Sequence, residues 1–324
     1  MTQTILVTDY MFNDLEIEKE IAAEAGVEVV ERPADTAEEV AAAIEETGAD
    51  IVAVTYAQVS RSVIEGAEGL KAIGRFGIGV DSVDIPAATE NDVVVVNVPA
   101  YSIDEVSTHA FALLLSCARS TVTYDRDIKA GGWDWHVGAP IPRLSESTLG
   151  LVGFGKIPRR MSEKAAGFGF DVLAQDPYVD AEEMDEYGVE KVDLDGLLER
   201  SDYISVHAPL TDETHHMLRT DEFEKMKESA VVVNTARGPL IDVDALNEAL
   251  ENGEIAKAGL DVLPEEPPAD DEPIVDREDV VLTPHAAWYS EASIIELRET
   301  LFSDLVGILQ GEDPENPVNP DALG

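Results

Sequence analysis

Three residues of this chain carry the makings of an acid–base site. Arg237 follows the apolar run VVVNTA, Glu266 follows LDVLPE, and His285 follows VVLTP. Each therefore stands where a buried strand ends. In an open α/β sheet, ligands gather outside these carboxyl ends. A guanidinium there can pair bidentately with the carboxylate of a 2-oxo acid and polarise its carbonyl. An imidazole can give its proton to a developing alkoxide. A glutamate bonded to that imidazole fixes its orientation and favours its charged form. Each also has a structural reading: a surface ion pair for Arg237, a solvated carboxylate for Glu266, a packing or capping ring for His285. Glu266 is the least distinctive, since Glu265 stands beside it and the chain holds 67 Asp plus Glu.

A second group points to a dinucleotide. The stretch LVGFGKIP joins an apolar run to a helical one. Gly153 allows a tight turn, and Gly155 lets the backbone approach a pyrophosphate. The amides near Gly155, Lys156 and Ile157 lie at the positive end of the helix. The third fingerprint position, usually Gly or Ala, is Pro158. Proline is tolerated in a first helical turn, where its missing N–H has no helical partner, but it puts close helix–strand packing in question. Two further G-x-G stretches, at Gly77–Gly79 and Gly167–Gly169, lack this context. Asp176 closes the next strand, DVLAQ, 21 residues after Gly155. Its carboxylate suits the hydroxyls of an adenosine ribose and repels a 2′-phosphate, so NAD is favoured over NADP. Structurally, Asp176 could simply start a turn before Pro177.

The remaining candidates are weaker. His109 lies mid-helix and reads as packed. His207 ends the strand ISVH, where its backbone could touch a cofactor. His136 falls on a loop. His215 and His216 are adjacent without a nearby third ligand, so no metal is expected. Cys117, the single cysteine, sits in the apolar run FALLLSCA and reads as buried. It excludes an internal disulfide and any cysteine-built metal site.

These residues need a scaffold, and the hydrophobic pattern supplies one. Residues 1–100 alternate apolar runs (TILVTD, VEVVE, DIVAVT, LKAIGRFG, VVVVNVP) with helical stretches at 14–25 and 36–46. This is the pattern of a parallel sheet covered on both faces. A long helix starts near Ile103, with Ser102 and Glu105 in capping-box spacing. The Gly- and Pro-bearing stretch AGGWDWHVGAPIPRLSEST reads as a loop. The alternation then restarts with TLGLVGF, DVLAQ, YISVH, AVVVNT, KAGLDV and VVLTP, and ends in an amphipathic helix at about 290–310. The last helix is expected to join the first unit, because chain termini tend to lie together.

With GFGKI, DPY, NTARGPLID, AGLDVLPEEPP and TPHAAW in this order, the chain resembles the D-isomer-specific 2-hydroxyacid dehydrogenases over nearly its whole length. TPHAAWYSEAS further resembles the C-terminal-binding-protein branch, which sets a tryptophan beside the histidine. The resemblance implies an α/β fold of two Rossmann-like parallel-sheet domains with an interdomain cleft. The substrate-binding (catalytic) domain would be discontinuous, 1–100 and 290–324, and the NAD-binding domain would be 101–289. It implies a homodimer and names Arg237, Glu266 and His285 as the catalytic set. It places Arg75 and the backbone of Gly77 and Gly79 at the substrate carboxylate. Thr235 and Asp261 would touch the nicotinamide half, and Trp288 would line the substrate pocket. Tyr101, with Trp288, suggests an aromatic wall. The expected activity is NAD(H)-dependent interconversion of a 2-oxo acid and a D-2-hydroxy acid. Two rivals stand beside it: an NADH-sensing protein that binds other proteins, and 3-phosphoglycerate oxidation. For the latter, no phosphate-binding basic cluster is evident.

Composition narrows the setting. The chain has 324 residues, 44% of them hydrophobic, enough for about two cores. Its net charge of −45 argues against nucleic acid and anionic membranes, since no basic stripe exists to displace counterions. No signal peptide is evident at MTQTILVTDY, and no apolar run approaches the ~20 residues that span a bilayer, so a soluble cytoplasmic protein is expected. A carboxylate-covered surface repels itself unless salt screens it. This suggests a cytoplasm of high ionic strength, as in a salt-loving microbe. The expected outcome is a melting temperature and an activity that rise from millimolar to molar KCl. Full stability and turnover in millimolar salt would contradict it.

Overall fold

Runs of Val and Ile too short for a helix become strands buried on both faces. In the computed structural model, which describes residues 3–323, five such runs form one sheet: β1 (Thr4–Val7), β2 (Glu28–Glu31), β3 (Ile51–Val54), β4 (Ala72–Arg75) and β5 (Val94–Val96). Their order is β2-β1-β3-β4-β5, with all neighbours parallel. β1 and β3 are buried throughout, whereas the edge strand β2 exposes both of its glutamates. The helices between them are α1 (Glu16–Glu24), α2 (Ala37–Thr47), α3 (Arg61–Gly66) and α4 (Ile85–Glu90). α2 shows how local sequence sets an element. Thr36 and Glu39 close a capping box at its start, and Gly48 ends it in the left-handed conformation.

Seven strands form a second sheet: β6 (Thr148–Val152), β7 (Asp171–Gln175), β8 (Glu190–Lys191), β9 (Tyr203–Val206), β10 (Val231–Asn234), β11 (Lys257–Leu260) and β12 (Val280–Leu282). Around it lie α5 (Ile103–Ala118), α6 (Thr121–Lys129), α7 (Lys156–Ala166), α8 (Ala181–Asp185), α9 (Leu194–Arg200), α10 (Thr220–Phe223) and α11 (Val243–Asn252). The order is β12-β11-β10-β9-β6-β7-β8, again parallel. The direction of winding reverses between β6 and β9, and such a switch point opens a crevice at the carboxyl ends. Leu218, Leu246 and Ile274 pack in the core on one side, and Leu114, Phe154 and Met161 on the other. The last helix, α12 (Glu291–Gln310), starts at a Ser290–Ser293 capping box and stops at Gly311, whose φ is +84°.

The chain divides into two units, Met1–Ser102 with Ser290–Gly324, and Ile103–Tyr289. No helix among the described residues is long and apolar enough to cross a membrane.

Three local features were not foreseen in the sequence. The Ser102 hydroxyl is buried and has no hydrogen-bond partner among the described residues. Tyr101 and Ser102 enter α5 as a turn, not as the extended backbone an N-cap needs. β8 was not legible, because two exposed charged residues carry no periodic signal. The loop after α6 also holds two short 3-10 turns, Trp135–Gly138 and Leu144–Glu146.

In the first unit, α12 is fixed by charge as well as packing. A side chain at Gly74 in β4 would strike Leu305 of α12, at 2.8 Å from Cδ1. Arg298 donates from Nε and Nη2 to the two oxygens of Glu18, at 2.7 and 2.6 Å. Its Nη2 also donates to the Asp14 carbonyl at 2.9 Å. The Glu18 side chain is fully enclosed, and the guanidinium lies 4.7 Å above the centroid of Phe12. Removing one partner of such a pair strands a buried charge, at a cost of about 3–5 kcal/mol. Glu18→Ala is therefore expected to lower the urea midpoint strongly. The double variant Glu18→Met/Arg298→Met is expected to recover most of the loss.

Candidate active site

The glycine loop forms where β6 ends. Gly153 has φ +91°, and a Cβ there would come within 3.1 Å of the His207 carbonyl and the Ala208 nitrogen. Only glycine fits both demands. Gly155 is the extended N-cap of α7, without a side-chain cap, and a Cβ on it would meet nothing within 4 Å. The amides of Lys156 and Ile157 begin the helix. Pro158 is buried in this first turn, and Met161 and Ala165 are buried behind it, so the helix packs closely despite the proline. Asp176 closes the loop from β7. Its Oδ2 accepts the Phe154 N–H and its Oδ1 the Tyr178 N–H, both at 2.8 Å. His207 donates its backbone N–H to Val152 at 2.8 Å. Burial pushes the pKa of its ring down to about 3, so the imidazole is neutral.

The turn after β10 carries Arg237. Asn234 holds it from both sides, accepting the Ala236 N–H at 3.0 Å and donating to the Arg237 carbonyl at 2.8 Å. Arg237 Nη1 donates to the Ala236 carbonyl at 2.7 Å. The buried Thr235 Oγ1 has no hydrogen-bond partner among the described residues. Gly238 comes so close to the next segment that any Cβ would overlap the Leu263 carbonyl. That approach sets the arginine turn against residues 263–266.

There Glu266 meets His285. Glu266 Oε2 and His285 Nδ1 are 2.6 Å apart, and Glu266 Oε1 accepts the Leu263 N–H at 2.9 Å. Burial raises the Glu266 pKa. The His285 hydrogen bond and charge, the Leu263 amide and the Arg237 charge outweigh it, so the carboxyl is held below the usual range. Glu266 and His285 border a cavity of about 440 Å³ lined also by Leu263, Pro267, Val275 and Leu282.

Asp261 organises the histidine segment. Its carbonyl accepts the His285 N–H at 2.7 Å. Its Oδ1 accepts Thr283 Oγ1–H at 2.5 Å and the Ala286 N–H at 2.9 Å, and its Oδ2 accepts the Ala287 N–H at 2.9 Å. The carboxylate is fully enclosed. It thus serves the chain's own backbone. The segment it holds is strained: His285 has φ +52°, which costs a residue with a side chain about 1–3 kcal/mol. The Trp288 Nε1–H donates to the His285 carbonyl at 2.8 Å, bracing the same residue.

The other candidates belong to the first unit. Arg75 ends β4. Gly77 has φ +141°, and a Cβ on it would overlap the Arg75 guanidinium, so glycine lets the arginine fold across it. Gly79 follows in the same loop, where Asn97 Nδ2 donates to the Ile78 carbonyl at 2.6 Å. Tyr101 is buried.

One residue missed from the sequence stands at the site. The ring of His109 on α5 approaches Thr283, with Nε2 2.9 Å from Oγ1. Its helical spacing to Leu113 and Cys117 was the available signal, but it read as packing. Among the described residues, no group of three or more His, Cys, Asp or Glu could hold a metal.

The second unit fits a dinucleotide. It offers the open backbone at Gly155, the first-turn amides of α7 and the buried, unsatisfied Thr235 hydroxyl beside Arg237.

Comparison with known proteins agrees with this geometry. The family model described as D-isomer specific 2-hydroxyacid dehydrogenase, NAD binding domain, matches residues 111–287. The D-3-phosphoglycerate dehydrogenase of Archaeoglobus fulgidus is 39% identical over 269 residues, which cover 83% of this chain and 51% of that protein. The glyoxylate reductase of Korarchaeum cryptofilum is 37% identical over 279 residues, covering 84% of this chain and 83% of that one. This chain therefore spans about half the length of the first relative and most of the second. The crystal structure of D-lactate dehydrogenase from Aquifex aeolicus complexed with NAD and lactic acid aligns with a TM-score of 0.89 at 27% identity, covering 97% of this chain and 99% of that one. By sequence and by fold, the chain belongs to the D-isomer specific 2-hydroxyacid dehydrogenase family.

Proposed function

We propose that this chain is an NAD(H)-dependent oxidoreductase that interconverts a 2-oxo acid and a D-2-hydroxy acid. The observation that carries the reading is the 2.6 Å hydrogen bond between Glu266 and His285, on the same carboxyl edge of the sheet as the glycine loop. Gly153, Gly155, Lys156 and Ile157 hold the pyrophosphate, and Thr235 faces the nicotinamide half. Asp176 takes the ribose hydroxyls and disfavours a 2′-phosphate, which makes NAD the cofactor over NADP.

When bound, the reduced nicotinamide supplies a hydride for C2 of the substrate. The rest falls to the chain. Arg237 pairs with the substrate carboxylate and polarises the carbonyl. Glu266 faces Nδ1 of His285, which leaves Nε2 to deliver the proton to the C2 oxygen. In the oxidative direction the same nitrogen takes the hydroxyl proton. Arg75 and the backbone of Gly77 and Gly79 are assigned to the substrate carboxylate, and Tyr101 and Trp288 to the substrate's surroundings, by likeness to the family motifs. The substrate is a small 2-oxo acid, in keeping with relatives named glyoxylate reductase and hydroxypyruvate reductase.

The working form is a homodimer. Ile128, Trp133 and Trp135 leave large apolar side chains 50%, 88% and 68% exposed, surface that a second copy could cover. Sedimentation in molar KCl is expected to give about twice the chain mass of 35.0 kDa.

NADH oxidation is to be followed with glyoxylate, pyruvate, hydroxypyruvate, longer 2-oxo acids and 3-phosphohydroxypyruvate. Turnover of a small 2-oxo acid is expected. Turnover of the phosphorylated substrate alone would replace this substrate class. His285→Ala is expected to lose roughly 10²–10⁴-fold in kcat, the usual worth of a positioned acid. An unchanged rate would reject the assignment. The lowered Glu266 pKa predicts an acid-side dependence. Its ionised form, and the stability that form contributes, is fully present above 4.5 and is lost as pH falls through the lower folded value. Glu266→Gln is expected to remove this acid-side dependence.

A further inference from the structure

Helix α5 brings to the site a residue that the proposed chemistry does not use. His109, Leu113 and Cys117 are spaced by four and share one face of the helix. Leu113 and Cys117 lie over β11 at Gly259, where a Cβ would stand 3.2 Å from Leu113 Cβ and 3.5 Å from Cys117 Sγ. The absent side chain lets the helix sit close to the sheet. Cys117 Sγ is 3.5 Å from the Ala258 carbonyl, so moving up the helix toward its N-terminus means moving along β11 toward its carboxyl end. One turn beyond Leu113, at that end, stands His109.

Its Nε2 lies 2.9 Å from Thr283 Oγ1 and 3.5 Å from Asp261 Oδ1. The threonine hydroxyl has one proton, and it is given to Asp261 Oδ1 at 2.5 Å. Thr283 therefore accepts from His109, whose Nε2 carries a proton. Beyond Asp261 the same chain of contacts reaches the Ala286 and Ala287 amides and, through the Asp261 carbonyl, the amide of His285 itself. His285 occupies the left-handed region, so its conformation must be imposed by its surroundings.

We propose that His109 is a positioning residue for His285, acting through the Thr283 hydroxyl and the Asp261 carboxylate to hold the strained 283–287 segment in register with Glu266. The proposal rests on His285 being the proton donor. His109 touches neither substrate nor the transferred proton. It supplies one fixed N–H donor to a hydroxyl that would otherwise be free to turn away from Asp261.

The test compares His109→Leu, His109→Gln, Thr283→Val, Thr283→Ser and the His109→Leu/Thr283→Val double variant, with His285→Ala as reference, in glyoxylate reduction by NADH. His109→Leu is expected to lower kcat by roughly ten- to a hundredfold, the range in which misplacement of a catalytic group acts. KM for NADH should stay within about twofold of the parent's. His109→Gln places an amide N–H near the position of Nε2 and is expected to recover most of the rate, as Thr283→Ser should by keeping the hydroxyl. The double variant should be no slower than the worse single, because the two residues act as one chain. A primary isotope effect measured with C4-deuterated NADH should rise in the slow variants. Proton NMR adds a readout independent of turnover. The signal of the His285 Nδ1–H, identified by its loss in His285→Ala, should shift or broaden in His109→Leu and return in His109→Gln.

An unchanged kcat and an unchanged His285 signal in His109→Leu would overturn the proposal. So would additive losses in the double variant, or a His109→Gln as slow as His109→Leu. Retained turnover in His285→Ala is a different failure. It would overturn the assignment of the proton donor on which the proposal rests.

Discussion

The site depends on one enclosed carboxylate. Asp261 follows β11, and the segment that must carry His285 has no strand or helix of its own to shape it. A buried anion is costly unless its lone pairs are filled. Here two backbone amides and a hydroxyl fill them, and the requirement works in both directions. The loop neutralises the carboxylate's need for donors, and the carboxylate gives the loop a single conformation. Charge-assisted hydrogen bonds of this kind are about twice as strong as neutral ones. They hold a non-glycine residue at positive φ, which the local sequence TPHAAW would not adopt unaided.

Around this fixed point the site is built from close backbone approaches. Gly153 admits the His207 carbonyl, Gly238 admits the Leu263 carbonyl, and Gly259 admits α5. Each glycine stands where two segments of the second unit meet. Asn234 does for Arg237 what Asp261 does for His285, on a smaller scale and without charge. Packing and polar contacts thus divide the work. Apolar strands fix where each loop begins, and side chain to backbone hydrogen bonds fix where it goes.

That division explains how much was legible in the sequence. Strand ends could be read from runs such as VVVNT and VVLTP, because a buried parallel strand needs an unbroken apolar run and polar residues mark its exit. Arg237, Glu266 and His285 followed from those ends, and the Glu266–His285 contact joins two of them. The fingerprint with Asp176 was legible because it sits between a strand and a helix, and Pro158 proved compatible with a buried first turn. The supports were not legible. Asp261 and His109 have side chains whose partners are 22 or more residues away, and nothing in their neighbourhood announces a hydrogen bond across the fold. Ser102 shows the reverse error: its spacing to Glu105 fits a cap, but the backbone enters α5 as a turn. The bond from the Trp288 indole N–H to the His285 carbonyl was likewise not legible.

The return of α12 to the first unit has a bearing on how the chain is made. The strands of that unit are translated well before Leu305 and Arg298, which close its sheet and its buried ion pair and lie some two hundred residues further along the chain. At typical synthesis speeds the ribosome needs about 10–40 s to produce the residues in between. During that time Glu18 has no arginine and Gly74 faces no helix. The second unit, contiguous in sequence, holds all of its own strands before the first is complete. The unit begun earlier is therefore the one completed later, and until α12 has been made the Gly74 face of β4 lacks the side chain that covers it.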